Sequence, residues 1–130
     1  MPEEEKKAEQ NYLLQMRKNH TKQERLGKRS DIDRVFREGN SVSVYGARLI
    51  RAENGLAFNR VVFIPARKYG HAVSRNRIRR HAKEIYRQEK HRFITGLDIV
   101  IVFYPGSEYD YSKRKEQMIH LFSKAGIIQA

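Results

Sequence analysis

The chain has no cysteine among its 130 residues, which excludes disulfide bridges and thiolate metal sites. No apolar run approaches the roughly 20 residues needed to cross a bilayer, so a soluble protein is expected. Glu3-Glu4-Glu5 precedes any apolar segment, no secretory signal is expected, and a cytoplasmic location is the default expectation. A Gly-rich phosphate loop, a Ser-His-Asp set, a zinc finger and an RNA-recognition-motif signature are also missing. His71, His81 and His91 lie ten residues apart, a separation that spreads them along and around a helix and offers no metal-ligand pair. The acids are scattered, and Asp31 and Asp33 suit the positive end of a helix dipole better than a metal. Neither a protein-held metal site nor autonomous catalysis is expected.

What the chain has is positive charge: 27 Lys and Arg against 15 Asp and Glu, a net +12. Such a charge raises the local concentration of polyanions and speeds their capture. It is concentrated, since residues 67–92 carry ten Lys or Arg against only Glu84 and Glu89. Helical spacing in this segment places Ile78, Ala82, Ile85 and Tyr86 on one apolar stripe and Arg75, Arg79, Lys83, Arg87 and Lys90 on another face. The stripe is expected to pack against neighbouring strands, which removes the apolar contact a membrane surface would require. Arginine dominates the cations, and its planar fork grips phosphate oxygens in pairs. Asn76, between Arg75 and Arg77, can cap the helix start or bond a base edge or ribose hydroxyl. A structured nucleic acid is the expected partner.

Around this helix the pattern alternates between helical and extended. Residues 1–24 read as a charged extension, helical or disordered, and 25–130 as a single α/β domain. Ser30 can cap a short helix that carries Ile32, Val35 and Phe36 on one face and ends at Gly39. Residues 41–51 and 56–66 read as extended, with Glu53-Asn54-Gly55 as the turn between them, and Pro65 belongs at a strand end or edge. The run 98–104 is apolar enough for a central strand covered on both faces, and Pro105-Gly106 stops it. Met118, Leu121, Phe122 and Ala125 then recur at helical spacing, with Asp110 or Ser112 available as the cap. The fold expected is an α/β two-layer sandwich in the order α-β-β-β-α-β-α.

The run Arg67-Lys68-Tyr69-Gly70-His71-Ala72-Val73-Ser74-Arg75-Asn76-Arg77-Ile78-Arg79-Arg80 resembles the signature of the bacterial ribonuclease P protein subunit, in which a Lys-x-Gly-x-Ala-Val step leads into an Arg-Asn-Arg helix. Arg25-Leu26, Asp33-Arg34-Val35-Phe36-Arg37-Glu38-Gly39, Gly96-Leu97-Asp98-Ile99-Val100, Pro105-Gly106 and Lys124-Ala125-Gly126 stand at matching distances, so the resemblance covers about residues 25–128. It implies a protein that joins a larger catalytic RNA, which itself cuts the 5′ leader from precursor tRNA by magnesium (Mg2+)-assisted phosphodiester hydrolysis. It assigns Arg75, Asn76, Arg77, Arg79, Arg80 and Lys83, with Arg67 and Lys68 nearby, to the catalytic-RNA surface. It places the single-stranded leader in a groove between the first helix and the sheet, at Ile32 and Phe36, and implies a left-handed crossover around the basic helix. Ile32 stands where the family commonly has Phe, and Ala47 and Ile50 where it commonly has aromatics, which makes the groove more aliphatic. The other function compatible with the same helix is a general basic RNA chaperone or a ribosome-associated RNA-binding protein.

Overall fold

Leu97–Phe103 is buried at all seven positions and forms the centre of the sheet. The computed structural model describes residues 22–106 and 108–129, so the reading of residues 1–21 as an extension lies outside the described residues. The order is α1 (Arg29–Glu38), β1 (Asn40–Val44), β2 (Ala47–Glu53), β3 (Arg60–Pro65), α2 (Ala72–Glu89), β4 (Leu97–Phe103) and α3 (Tyr111–Lys124), with 3-10 turns at Lys22–Glu24 and Lys90–Arg92. This is the order expected from the sequence. Spatially the strands run β1-β2-β4-β3, antiparallel except for the parallel pair β3 and β4, which α2 connects. That pair is the β–α–β unit to which the resemblance gives a left-handed sense.

Period-two alternation assigns the two faces. Leu49, Phe63, Ile99, Ile101 and Phe103 point to one face and pack with Ile78, Ala82, Ile85 and Tyr86 of α2 and with Met118, Leu121 and Phe122 of α3. Ile50, Val100 and Val102 point to the other and pack with Leu26 and Val35 beneath α1. Helices therefore cover both sides of the sheet, α1 on one and α2 with α3 on the other, which is why β4 carries no polar alternation.

Three local expectations give way to different physics. The hairpin turns at Tyr45-Gly46, where Gly46 takes a φ of 79°, and not at Asn54-Gly55. β4 inserts between β2 and β3, so Asn54 braces a link: its Oδ1 accepts from the Leu56 N–H at 2.8 Å and its Nδ2 donates to the Phe58 carbonyl at 3.1 Å. Second, α1 begins one residue before Ser30, leaving that side chain inside the helix, and the preceding Lys28 makes no side-chain cap. Of the two candidates at α3, Asp110 is the cap, accepting from the Lys113 N–H at 2.9 Å. Third, Gly39 is extended rather than left-handed. Glycine is required there for closeness, since a Cβ would stand 2.5 Å from the Val35 carbonyl and 2.7 Å from that of Arg51. Gly39→Ala should lower the unfolding free energy by about 1–3 kcal/mol, seen as a reduced midpoint in denaturant with an unchanged slope.

Asp98, which reads in the sequence only as a strand start, is fully buried under α1. Its Oδ2 accepts from Arg34 at 2.8 Å and Arg60 at 2.7 Å, and its Oδ1 from Arg60 at 2.8 Å and Asn54 at 3.0 Å. Burial alone would raise the carboxyl's pKa, but the hydrogen bonds from Arg60, Asn54 and Arg34 outweigh it and hold it below the usual carboxylate value. One carboxylate thus joins α1, β3, β4 and the β2–β3 link.

Candidate nucleic-acid interface

The apolar stripe of α2 is Ile78, Ala82, Ile85 and Tyr86, all buried, so the rest of the helix surface is turned outward. Its two halves differ electrostatically. Residues 67–83 hold seven cations, Arg67, Lys68, Arg75, Arg77, Arg79, Arg80 and Lys83, and no acid. Beyond them every acid is matched: Arg87 binds Glu84 at 2.6 Å, Arg92 binds Glu89 at 2.8 Å, and Lys90 reaches Glu24 at 3.0 Å. Arg87 and Lys90, which the helical period groups with Arg79 and Lys83, are therefore held in ion pairs. The uncompensated charge is confined to the first three turns and the loop before them.

Within that stretch the side chains divide again. Arg67, Lys68, Asn76, Arg77, Arg80 and Lys83 are exposed and Arg79 is half-buried. Asn76 does not cap the helix, whose first residue is Ala72, but accepts from Arg79 at 3.2 Å through its Oδ1. Arg75 is different: its Nη1 donates to the Ala66 carbonyl at 2.7 Å and its Nη2 to that of Pro65 at 3.1 Å. Pro65 ends the edge strand β3, so Arg75 fastens the start of α2 to the sheet as well as carrying charge. His81, near the middle of α2, has its pKa lowered by burial and then by Arg77, Arg114 and Arg80.

The second candidate surface lies on the opposite face. α1 packs over β2 and β4, leaving Val62, Ile64 and Ala66, on and just past the edge strand, as a half-buried apolar shelf. Ile32 is half-buried against the same cluster, and Phe36 is 42% exposed. The two other positions singled out by the resemblance separate. Ile50 is buried beneath α1, whereas Ala47 points into the α2–α3 core, because an odd separation along a strand reverses the face. Ala47 therefore takes no part in any groove beside α1.

Sequence reasoning passes over Arg114 and Gln117, both buried on α3. Arg114 donates to Gln117 Oε1 at 2.7 Å and to the Tyr69 hydroxyl at 3.0 Å, with its guanidinium 5.2 Å from the Phe103 ring centre and 5.1 Å from that of Tyr109. Gln117 donates onward to the Tyr45 carbonyl at 2.8 Å. Helical spacing puts Arg114, four residues before Met118, on the buried stripe and its neighbours Lys113 and Glu116 off it, but a charged side chain at that position hides the signal.

Comparison with known proteins gives the same family from sequence and from structure. The family model described as Ribonuclease P matches residues 5–126. The "Ribonuclease P protein component" of Natranaerobius thermophilus is 34% identical over 105 residues, 80% of this chain and 91% of the relative. Its counterpart in Petrotoga mobilis is 36% identical over 110 residues, covering 79% and 92%. The RNase P protein of Thermotoga maritima superposes with a TM-score of 0.71 at 28% identity, over 82% of this chain and 99% of that one. The Staphylococcus aureus RNase P protein shares the fold, with a TM-score of 0.76 at 22% identity, over 82% of this chain and 98% of that one. A family match across nearly all the sequence, with relatives above 30% identity spanning about four-fifths of it, means that the chain belongs to the ribonuclease P protein family.

Proposed function

We propose that the chain binds the catalytic RNA of ribonuclease P through the first turns of α2 and assists that RNA in removing the 5′ leader of precursor tRNA. The observation that carries the reading is the acid-free run of seven cations over residues 67–83. It occupies the first turns of α2 and the loop before them, mostly exposed, in a chain of this family. Cations without acidic partners are the arrangement that releases counterions from phosphates, which supplies much of the affinity for a nucleic acid. Arg67, Lys68, Asn76, Arg77, Arg79, Arg80 and Lys83 are the RNA contacts. Arg75 contributes charge and orients the helix.

The phosphodiester chemistry belongs to the RNA, with Mg2+ ions held mainly there. The protein's described residues bring together no group of three or more His, Asp or Glu that could hold a metal ion. Asp31 and Asp98, which both approach Arg60, are bonded to it and form no open donor set. The leader lies on the shelf beside α1, where Phe36 offers a ring and Ile32 aliphatic contact. Such a surface retains apolar contact but loses part of the stacking, about 1–3 kcal/mol per base, that additional rings would give.

The test is to add the protein to its cognate catalytic RNA and titrate Mg2+ and substrate. Leader removal should proceed at lower concentrations of either; an unchanged requirement would sink the proposal. Equally tight binding to unrelated structured RNAs would favour a general chaperone. Phe36→Ala should raise the apparent substrate constant for long-leader substrates and leave RNA assembly intact. Since Phe36 is 42% exposed, its truncation costs less than the about 3–5 kcal/mol of a core Phe. Equal losses on substrates with and without a leader would remove Phe36 from the groove.

A further inference from the structure

Five of the chain's seven tyrosines, Tyr45, Tyr69, Tyr104, Tyr109 and Tyr111, gather where the β1–β2 turn, the end of β4 and the starts of α2 and α3 meet. The connections are explicit. The Tyr104 N–H donates to the Gly46 carbonyl at 2.9 Å, and Tyr111 packs edge-on to His81 at 5.4 Å between ring centres. Tyr69 and Tyr109 are joined through Arg114. Tyr45 is 75% exposed and Tyr104 39%, although aromatic side chains usually add stability by being buried.

Between α2 and the loop leading into α3 lies a cavity of about 460 Å³, lined by Tyr69, Ser74, Arg77, His81 and Tyr109 among others. Its size lies within the roughly 300–1,000 Å³ of small-ligand pockets. Two acids also line it, Glu108 and Asp110, both on the loop, and Asp110 is engaged in capping α3. Ser74, Arg77 and His81 stand on α2, so phosphate is met by the helix wall. Arg77 belongs at once to this cavity and to the exposed cation ridge, which makes the two surfaces continuous. A duplex lying along the ridge presents phosphates, 2′-hydroxyls and base edges but no free base face, whereas rings beside cations suit a base that has left its stack.

We propose that this tyrosine-rich cavity receives one unpaired nucleotide of the RNA lying along α2, with its base stacked on Tyr109 and its phosphate held by Arg77. The proposal rests on the reading that α2 binds RNA, and it adds a point at which single-stranded structure is recognised. It also gives Tyr109 a role beyond covering Arg114. The lowered pKa of His81 keeps that imidazole neutral near pH 7, able to accept a hydrogen bond from a base.

The experiment compares three probes at one salt concentration: the cognate catalytic RNA, a blunt RNA duplex, and a labelled oligouridylate of about ten nucleotides, a length within the usual single-strand site sizes. Tyr109→Ala should bind the oligouridylate about tenfold more weakly, the loss of one base–aromatic stack, and the duplex unchanged. Tyr109→Phe should retain binding, because the ring remains. Oligouridylate containing 4-thiouridine should cross-link to Tyr109 or Tyr69. Circular dichroism checks the fold. Should Tyr109→Ala fail to fold, Ser74→Glu puts an acid at the exposed first turn of α2 and should lower oligouridylate affinity more than duplex affinity. Unchanged oligouridylate binding by a folded variant, equal loss on duplex, or cross-links confined to α1 would overturn the pocket. Wild-type binding to oligouridylate but not to catalytic RNA would leave the pocket standing and sink the reading on which it rests.

Discussion

Asp98→Ala should lower the unfolding free energy by about 3 kcal/mol, which for a domain of this size moves the thermal midpoint by about 10 °C or more. The reason is asymmetry. The carboxylate is fully buried and accepts four hydrogen bonds, so its removal leaves Arg34 and Arg60 facing a carboxylate-sized void, with only the longer contacts to Glu38 at 3.7 Å and Asp31 at 3.4 Å to offset their charges. Removing one partner of a buried pair costs about 3–5 kcal/mol. The lower end applies here, because the Arg34 and Arg60 side chains remain 28% and 23% exposed and can recruit water. Asp98→Asn, which keeps the shape but turns an amide N–H toward a guanidinium, should recover only part of the loss.

The same residue sets an acid limit on stability. Its folded pKa is depressed, so its contribution is fully present above the unfolded value of about 3.9 and is lost as pH falls through the lower folded value. The gap between wild type and Asp98→Ala should therefore be constant near neutrality and shrink below about pH 4. Denaturant titrations across that range measure it. A gap that persists undiminished at the lowest pH would mean that packing, not charge, accounts for Asp98.

The parts of the fold that are legible in the sequence are those carried by period. The α2 stripe of Ile78, Ala82, Ile85 and Tyr86 and the uninterrupted run of β4 follow from spacing alone. Strand pairing does not, because Asn54-Gly55 has turn chemistry whether the next strand pairs with β2 or crosses beyond β4. Only the three-dimensional competition for β2's free edge decides between them. The cation ridge shows the same division. Spacing places Arg75, Arg79, Lys83, Arg87 and Lys90 on one face, but Glu24, 66 residues from Lys90, and the Pro65 and Ala66 carbonyls determine which of them are occupied. Parity along β2 settles Ala47 against Ile50, and parity becomes readable only once the register with β4 is known. Family resemblance supplies the RNA; it does not show which arginine faces it.

That division selects the variant with the largest expected effect on binding. Arg75→Ala would confuse lost charge with a loosened helix start, since its guanidinium holds two backbone carbonyls. Arg77, Arg79 and Arg80 make no ion pair among the described residues, and their one side-chain hydrogen bond there runs from Arg79 to Asn76 on the exposed surface. Replacing all three by alanine, a good helix former, should leave the fold intact. If each meets a phosphate, the plot of log affinity for catalytic RNA against log salt should flatten by about two to three units, with affinity falling on the order of 100-fold at low salt. Arg87→Ala serves as the control, because its charge is held by Glu84 at 2.6 Å and its loss should alter the slope little. An unaltered slope in the triple variant would move the RNA to another surface. A slope change in Arg87→Ala of about one third of that in the triple variant, its share by charge, would mean that net charge alone governs binding. A change in Arg87→Ala far below that one-third share would show that the RNA reads where α2 leaves its charge uncompensated.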